Sequence, residues 1–286
     1  MFSNTFSLDE FRKHLPKRQS DSHKGDNGRV LIIGGSREYY GAPILAGLSA
    51  LGSGADLVYL LVPECNFEVT RGFYPDFIVR SYPGDALNEN AIEPAFELLK
   101  KVDAVLIGPG IGKGADRLKV VEEIIADAAC PIILDAEAIA IAKECGKNPD
   151  PRRCFMITPH GKELEPLLDV HLPEDNDGRK KIIDAFAKQY GITVLLKGSH
   201  DLIASPDEKV ITNTTGNAGM TVGGTGDALA GCAASFAAQH MPLHYAAACA
   251  AFIIGTTGDE LYKTKGSYFI ASDVALELPY MLHRLF

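Results

Sequence analysis

A chain of 286 residues, 46% hydrophobic and 23% charged, can bury one large α/β core or two small ones and has the composition of an ordinary soluble globular protein. Its net charge of −9 lacks the basic footprint of broad nucleic-acid binding, although backbone N–H groups at helix starts can still hold a phosphate-bearing ligand. The longest apolar segment, Tyr245 to Gly255, falls well short of the roughly 20 residues that span a bilayer, so no membrane partner is expected.

The N-terminal stretch has no apolar core of a signal peptide, and Ser7-Leu8-Asp9-Glu10 reads as a capping box that opens a short amphipathic helix. From residue 29 onward, short apolar runs alternate with Gly-rich turns and helical patterns. Strands are expected at Arg29–Gly35, Ala55–Pro63, Asp103–Gly110, Pro131–Asp135, Phe155–His160 and Ile192–Gly198. Helical periodicity marks Ala42–Leu51, Glu89–Lys100, Ala115–Ala126, Lys162–Leu168 and Arg179–Tyr190 between them. Strands so continuously apolar are buried on both faces. The alternation therefore predicts right-handed βαβ crossovers in a three-layer α/β/α sandwich with a mostly parallel central sheet.

Beyond Gly198 two short strand candidates flank Pro206-Asp207 and suggest a hairpin. Helices are then expected at Gly226–Gln239, Leu243–Glu260 and Ser272–Leu285. Without repeats, low-complexity linkers or a change of composition, the chain reads as one domain over residues 1–286, with 1–22 as a helical lead-in. Cys65, Cys130, Cys145, Cys154, Cys232 and Cys249 form no Cys-x-x-Cys pair, which fits reduced thiols in the cytoplasm and no zinc site.

The chemistry concentrates where strands end. Gly34-Gly35, Gly108, Gly110, Gly112 and Gly198 all follow apolar runs, and in open α/β sheets the ligand crevice lies beyond those carboxyl ends. For any single turn, ordinary loop geometry explains a glycine equally well; it is the repetition that points to a site. The densest segment, Asn217 to Asp227, ends in Gly223-Gly224-Thr225-Gly226-Asp227 and runs directly into a helix of small residues. Amides of Gly224, Thr225 and Gly226 at a helix start can cradle a phosphoryl group. Asp227, in the first turn, is expected to stay ionised through the helix dipole and to accept a proton from a neighbouring hydroxyl. Neither a Walker P-loop nor a Gly-x-Gly-x-x-Gly after the first strand is present. Lys197 closes an apolar strand and is costly to bury unpaired, so it is expected to reach the crevice; Asp135 is expected to point there too, orienting substrate or metal indirectly.

Taken together, His23–Pro63, Asp103–Gly112, Pro131–Ala140, Ile157–Leu164, Val194–Ala204 and Asn217–Gly231 resemble, in the same order, the segments of the ADP/ATP-dependent NAD(P)H-hydrate dehydratases of the ribokinase-like superfamily. The resemblance covers residues 23 to 280. It implies a ribokinase-like fold and a hydro-lyase activity. ADP or ATP phosphorylates the hydroxyl on carbon 6 of the hydrated nicotinamide (the S-epimer), and loss of phosphate regenerates NADH or NADPH. It implies Asp227 as catalytic base, with Gly224, Thr225 and Gly226 stabilising the transferred phosphoryl group. Ala42, Gly110 or Gly112, His160 and Asp227 would contact the hydrated dinucleotide, and Lys197, Gly198, Ser199, His200, Asp201 and Gly226 the adenine nucleotide. His160 without the resemblance reads equally as a hydrogen-bonded turn residue. Mg²⁺ would bridge nucleotide oxygens, with no direct protein metal ligand assigned.

Two departures affect loop rigidity rather than chemistry. Thr158-Pro159-His160-Gly161-Lys162-Glu163 lacks the second proline usual in the family, and Asn217-Ala218-Gly219-Met220 stands where Asn-Pro-Gly-Met is usual. The resemblance further implies a homo-oligomer, possibly a tetramer, and an NAD(P)H-hydrate epimerase supplied by a separate chain. Rival readings are a hydroxyethylthiazole or hydroxymethylpyrimidine type kinase of the same superfamily and a catalytically silent nucleotide-binding protein. The HKGDNG segment before the first strand and GPGIG argue against the kinases, and the intact Gly224–Asp227 against silence.

Overall fold

The computed structural model describes residues 5–145 and 154–286, so residues 1–4 of the N-terminal lead-in lie outside the described residues. A first helix, α1 (Leu8–His14), precedes β1 (Arg29–Ile33), α2 (Gly41–Gly52), β2 (Leu57–Pro63), α3 (Glu64–Phe73) and β3 (Phe77–Tyr82). Next come α4 (Ile92–Leu99), β4 (Ala104–Ile107), α5 (Ala115–Asp127), β5 (Ile132–Leu134), α6 (Ala142–Cys145) and β6 (Phe155–Ile157). The chain continues through α7 (Gly161–Leu168), α8 (Asn176–Tyr190), β7 (Thr193–Leu196), β8 (Asp201–Ala204) and β9 (Ile211–Asn213). It closes with α9 (Thr225–Ala238), α10 (Leu243–Lys265) and α11 (Ala271–Leu285).

The strands form one nine-stranded sheet in the order β3-β2-β1-β4-β5-β6-β7-β8-β9. Strands β1 to β7 pair in parallel, and β8 and β9 add an antiparallel meander at one edge, the expected hairpin. Side chains alternate across the pleat. Val30 and Ile32 of β1 enter a core made with α2, α9, α10 and α11, whereas Leu31 and Ile33 enter a second core made with α4, α5, α7 and α8. Both faces are therefore dry, which is why the parallel strands read as unbroken apolar runs. The three-layer α/β/α sandwich predicted from the alternation is the fold observed.

Strand β3, helix α3 and the four-residue α6 were not anticipated. Strand β3 is the sheet's outer edge, carries Arg80 and Ser81, and buries only its ends, so it lacks the apolar run that flags a central strand. Helix α3, which packs along β2 and β3, is likewise mostly polar. At the opposite edge, the Phe6 N–H donates to the Thr212 carbonyl at 2.9 Å and covers β9. The N-terminal capping box is half realised: Ser7 Oγ accepts the Glu10 N–H at 3.2 Å.

The small residues of α9 let it approach α2 closely. A Cβ on Gly231 would collide with the Ala46 carbonyl of α2, so backbone meets backbone there. Gly231→Ala is expected to lose about 1–3 kcal/mol through overpacking. Thermal unfolding should register this as a drop of several degrees, at about 2–4 °C per kcal/mol for a chain of this size. This contact packs α9 against α2 one helical turn beyond Asp227.

Candidate active site

The carboxyl ends of β5, β6 and β7 lie side by side, so the residues following them meet. Asp135, after β5, is only 3% exposed. Its Oδ1 accepts the Thr158 hydroxyl at 2.6 Å and the Lys197 ammonium at 3.1 Å. Glu163 Oε2 lies 4.0 Å from the same Nζ. Burial alone would lower the Lys197 pKa, but Asp135, Glu163 and Asp227 outweigh it and raise it above the ordinary value. Lys197 is therefore a fixed cation at the crevice floor, as expected. Asp135 instead lies buried against Lys197, holding it, and lines neither of the two cavities that flank α9, which corrects the expectation that it faces the crevice. A buried ammonium needs its counter-ion more than the solvent-facing site does.

Helix α9 starts over this group. Gly224 is its N-cap, at φ 97°, a left-handed conformation that a side chain would strain. The Thr225 hydroxyl donates back to the Met220 carbonyl at 2.8 Å and ties the preceding loop. First-turn amides have no carbonyl partner within their own helix, so those of Thr225 and Gly226 are available to an anion. Gly226 lies under Lys197: a Cβ there would stand 3.3 Å from Nζ.

Asp227 departs from expectation in its charge. Burial, reinforced by the carboxylates of Asp135 and Glu163 and only partly offset by Lys197, pushes its carboxyl up to about 7. The helix dipole, worth about 0.3–1 kcal/mol at such a position, is outweighed. Rather than being permanently ionised, the group is poised between its two forms near neutral pH, where a general base is most effective.

Two cavities open on either side of this helix start. One, of about 590 Å³, is lined by Lys197, Gly198, Ser199, Asp201, Thr225 and Gly226, opposite an apolar wall from Met220, Leu229, Ala251 and Ile254. The other, of about 740 Å³, is lined by Ala42, Gly108, Gly110, Gly112 and Asp227, among others. The expected nucleotide residues and the expected substrate residues thus fall into separate cavities that meet at Gly226-Asp227. Both Gly110 and Gly112 line the larger one.

Three expected residues are placed otherwise. His160 lines neither cavity: its Nδ1 accepts the Glu163 N–H at 3.2 Å, and Glu163 Oε2 accepts the His160 N–H at 2.8 Å, a reciprocal cap on α7. The turn reading of that histidine describes what the structure contains. His200 also lines neither cavity and pairs with Asn176 Nδ2 at 3.1 Å. Gly224 serves the backbone turn and packs against Leu45 and Ala271 rather than lining a cavity. Asp201, although in the nucleotide-side cavity, has its carboxylate occupied by the Gly198 N–H and Asn213 Nδ2, both at 3.1 Å. It shapes the turn after β7.

The sequence reading missed the apolar wall, because Ala251 and Ile254 of α10 look like core positions. It also missed Arg37, Tyr39, Lys113 and Arg117 in the larger cavity. For Arg37, Tyr39 and Lys113 the signal was available, since they occupy the loops after β1 and β4, the same strand ends that carry the glycines; Arg117 stands in the first turn of α5.

Comparison with known proteins places this arrangement. The family described as NAD(P)H-hydrate dehydratase matches residues 30–279. The ADP-dependent (S)-NAD(P)H-hydrate dehydratase of Cenarchaeum symbiosum is 38% identical over 285 residues, 98% of this chain and 96% of that protein. A bifunctional NAD(P)H-hydrate repair enzyme of Methanothermobacter thermautotrophicus is 37% identical over 270 residues, 93% of this chain but 51% of the relative, so the chain spans about half of that protein. The structure of the ADP/ATP-dependent NAD(P)H-hydrate dehydratase of Bacillus subtilis, co-crystallised with ATP and Mg²⁺, is similar with a TM-score of 0.88 at 27% identity over 100% of both chains.

Proposed function

The chain belongs to the NAD(P)H-hydrate dehydratase family, and from that premise we propose that its two cavities receive an adenine nucleotide and a hydrated nicotinamide dinucleotide for one phosphoryl transfer between them. The reaction is the nucleotide-dependent dehydration of (S)-NAD(P)H-hydrate to NAD(P)H. The observation that carries the site assignment is the seam: Gly226 lines the 590 Å³ cavity and its neighbour Asp227 the 740 Å³ one.

With the adenosine against the apolar wall, the terminal phosphates would lie at the start of α9, within reach of the Thr225 and Gly226 amides and the Lys197 ammonium. Asp227 would take the proton from the hydroxyl on carbon 6 of the nicotinamide as its oxygen bonds to phosphorus. The leaving nucleotide carries the other half of the broken phosphoanhydride. Phosphate then departs with the electrons of the carbon 6–oxygen bond, and loss of a proton from carbon 5 to the departing phosphate or to water restores the ring double bond. Positioning and electrostatics dominate phosphoryl transfer, so a site of amides, one lysine and one base suffices.

Among the described residues no group of three His, Cys, Asp or Glu could hold a metal by itself. A nucleotide-borne Mg²⁺ does not need one, since one or two carboxylates plus phosphates and waters are its usual shell. Asp227 is the carboxylate lining the seam that would stand beside it. Mg²⁺ would supply charge neutralisation on the nucleotide oxygens. The name of the Cenarchaeum relative favours ADP as donor. An NAD(P)H-hydrate epimerase would be the functional partner, an activity implied by the bifunctional relatives.

Incubating the protein with (S)-hydrated NADH, Mg²⁺ and ADP or ATP should restore the absorbance of the reduced nicotinamide. If neither nucleotide restores it, the proposed reaction is wrong. A small-molecule kinase would instead leave a stable phosphorylated product.

A further inference from the structure

The larger cavity presents a charge problem. Glu38, Asp85 and Glu137 line it together with Asp227, yet the dinucleotide proposed to enter it carries a diphosphate. Arg37 cannot offset this, because its guanidinium is engaged by both oxygens of Asp85 at 2.8 Å. Two cations remain in the lining, Lys113 and Arg117, and among the described residues neither has an ion-pair partner.

Arg117 is held in place without being neutralised. Its Nη1 donates to the Ile111 carbonyl at 2.6 Å, and the guanidinium lies so close over Gly112 that any side chain there would strike it. Ser36, in the loop after β1, has its hydroxyl 3.9 Å from where a Cβ on that glycine would stand. One bond to a neutral carbonyl leaves the other N–H groups of the fork free, the geometry that suits phosphate oxygens. Lys113 stands four residues before it, in the loop that leads into α5, exposed and with no ion-pair partner among the described residues.

We propose that Lys113 and Arg117 bind a phosphate of the dinucleotide's non-reacting half, and so anchor the molecule while its nicotinamide meets Asp227. This inference rests on the function proposed above. It adds a specificity pair to the lining of that cavity. The phosphate is either the diphosphate bridge, common to both dinucleotides, or the 2′-phosphate found on NADPH alone. The two share the chemistry, and measurement separates them.

The test is direct binding of NADH and NADPH to wild type, Lys113→Gln and Arg117→Gln, followed by nicotinamide fluorescence and requiring no turnover. Each substitution should weaken binding about tenfold, the usual scale for losing one charge-assisted contact. The wild-type affinity should fall with added salt more steeply than that of either variant. Equal losses for the two dinucleotides assign the diphosphate, and a loss confined to NADPH assigns the 2′-phosphate. ADP binding in the other cavity serves as the folding control and should be unchanged. Lys113→Gln is an exposed change and keeps the test valid if Arg117→Gln disturbs the loop. Unaltered affinity for both dinucleotides in both variants overturns the proposal. Absence of any dinucleotide binding by wild type would instead overturn the assignment of the cavity itself.

Discussion

Asp227→Asn is expected to reduce turnover by about 10²–10⁴, the usual contribution of a positioned general base, while ADP or ATP binding changes little. The asparagine keeps the shape but cannot take the hydroxyl proton. In the proposed binding mode Lys197 and the helix amides hold the nucleotide in the neighbouring cavity, which Lys197 and Gly226 line. Steady-state kinetics with hydrated NADH, beside nucleotide titration, separates the two effects, and equal activity in the variant would mean the base is another residue. The wild-type kcat/KM should lose activity as pH falls through about 7, because the proton-accepting form is the ionised one and Asp227 is pushed up to about 7. The same shift acts on stability in the opposite sense. The folded carboxyl binds its proton more tightly than the unfolded one, so ionisation costs stability progressively from about pH 4 to 7, and the full cost is present above 7. Asp227→Asn should therefore raise the melting temperature at pH 8 and hardly at all at pH 4. Because the side chain is partly exposed, solvent reduces the gain to a few degrees.

Lys197→Met is the second large effect, and it combines stability with binding. Removing the ammonium leaves the Asp135 carboxylate, 3% exposed, with the Thr158 hydroxyl as its remaining side-chain donor. Breaking a buried ion pair from one side costs about 3–5 kcal/mol, which a melting experiment would read as a drop of roughly 10 °C. Adding Asp135→Asn should recover most of that loss by removing the orphaned charge. Nucleotide affinity should stay at least tenfold down in the double variant, because the phosphates still lack their cation. Recovery of affinity along with stability would reduce Lys197 to a structural residue. Lys197→Met also removes the one cation opposing the rise at Asp227, so any residual activity should move its acid limb to higher pH.

Part of this molecule was legible without coordinates. Apolar runs such as those of β1 and β4 could only be buried on both faces, and the Gly-rich start of α9 announced both a close approach and an anion cradle. Edge strand β3 escaped because Arg80 and Ser81 face away from a full core. His160 was legible as a turn residue or as a ligand contact, and the structure shows its reciprocal capping bonds with Glu163. Arg117 escaped because a basic residue in a first helical turn carries no mark of the cavity it faces.

The Gly-rich helix start that carries the proposed base and the parallel sheet beneath it were legible in the sequence alone. Each depends on residue types at fixed local spacing, which is where periodicity and helix geometry act. Tertiary structure alone decided the charge of Asp227 and the role of Asp135. Both depend on residues 62 or more positions apart, Asp135 and Lys197 among them, meeting where β5 and β7 end beside one another. Local sequence sees the helix dipole that favours an ionised Asp227. Only the packed chain brings the burial and the neighbouring carboxylates that outweigh it.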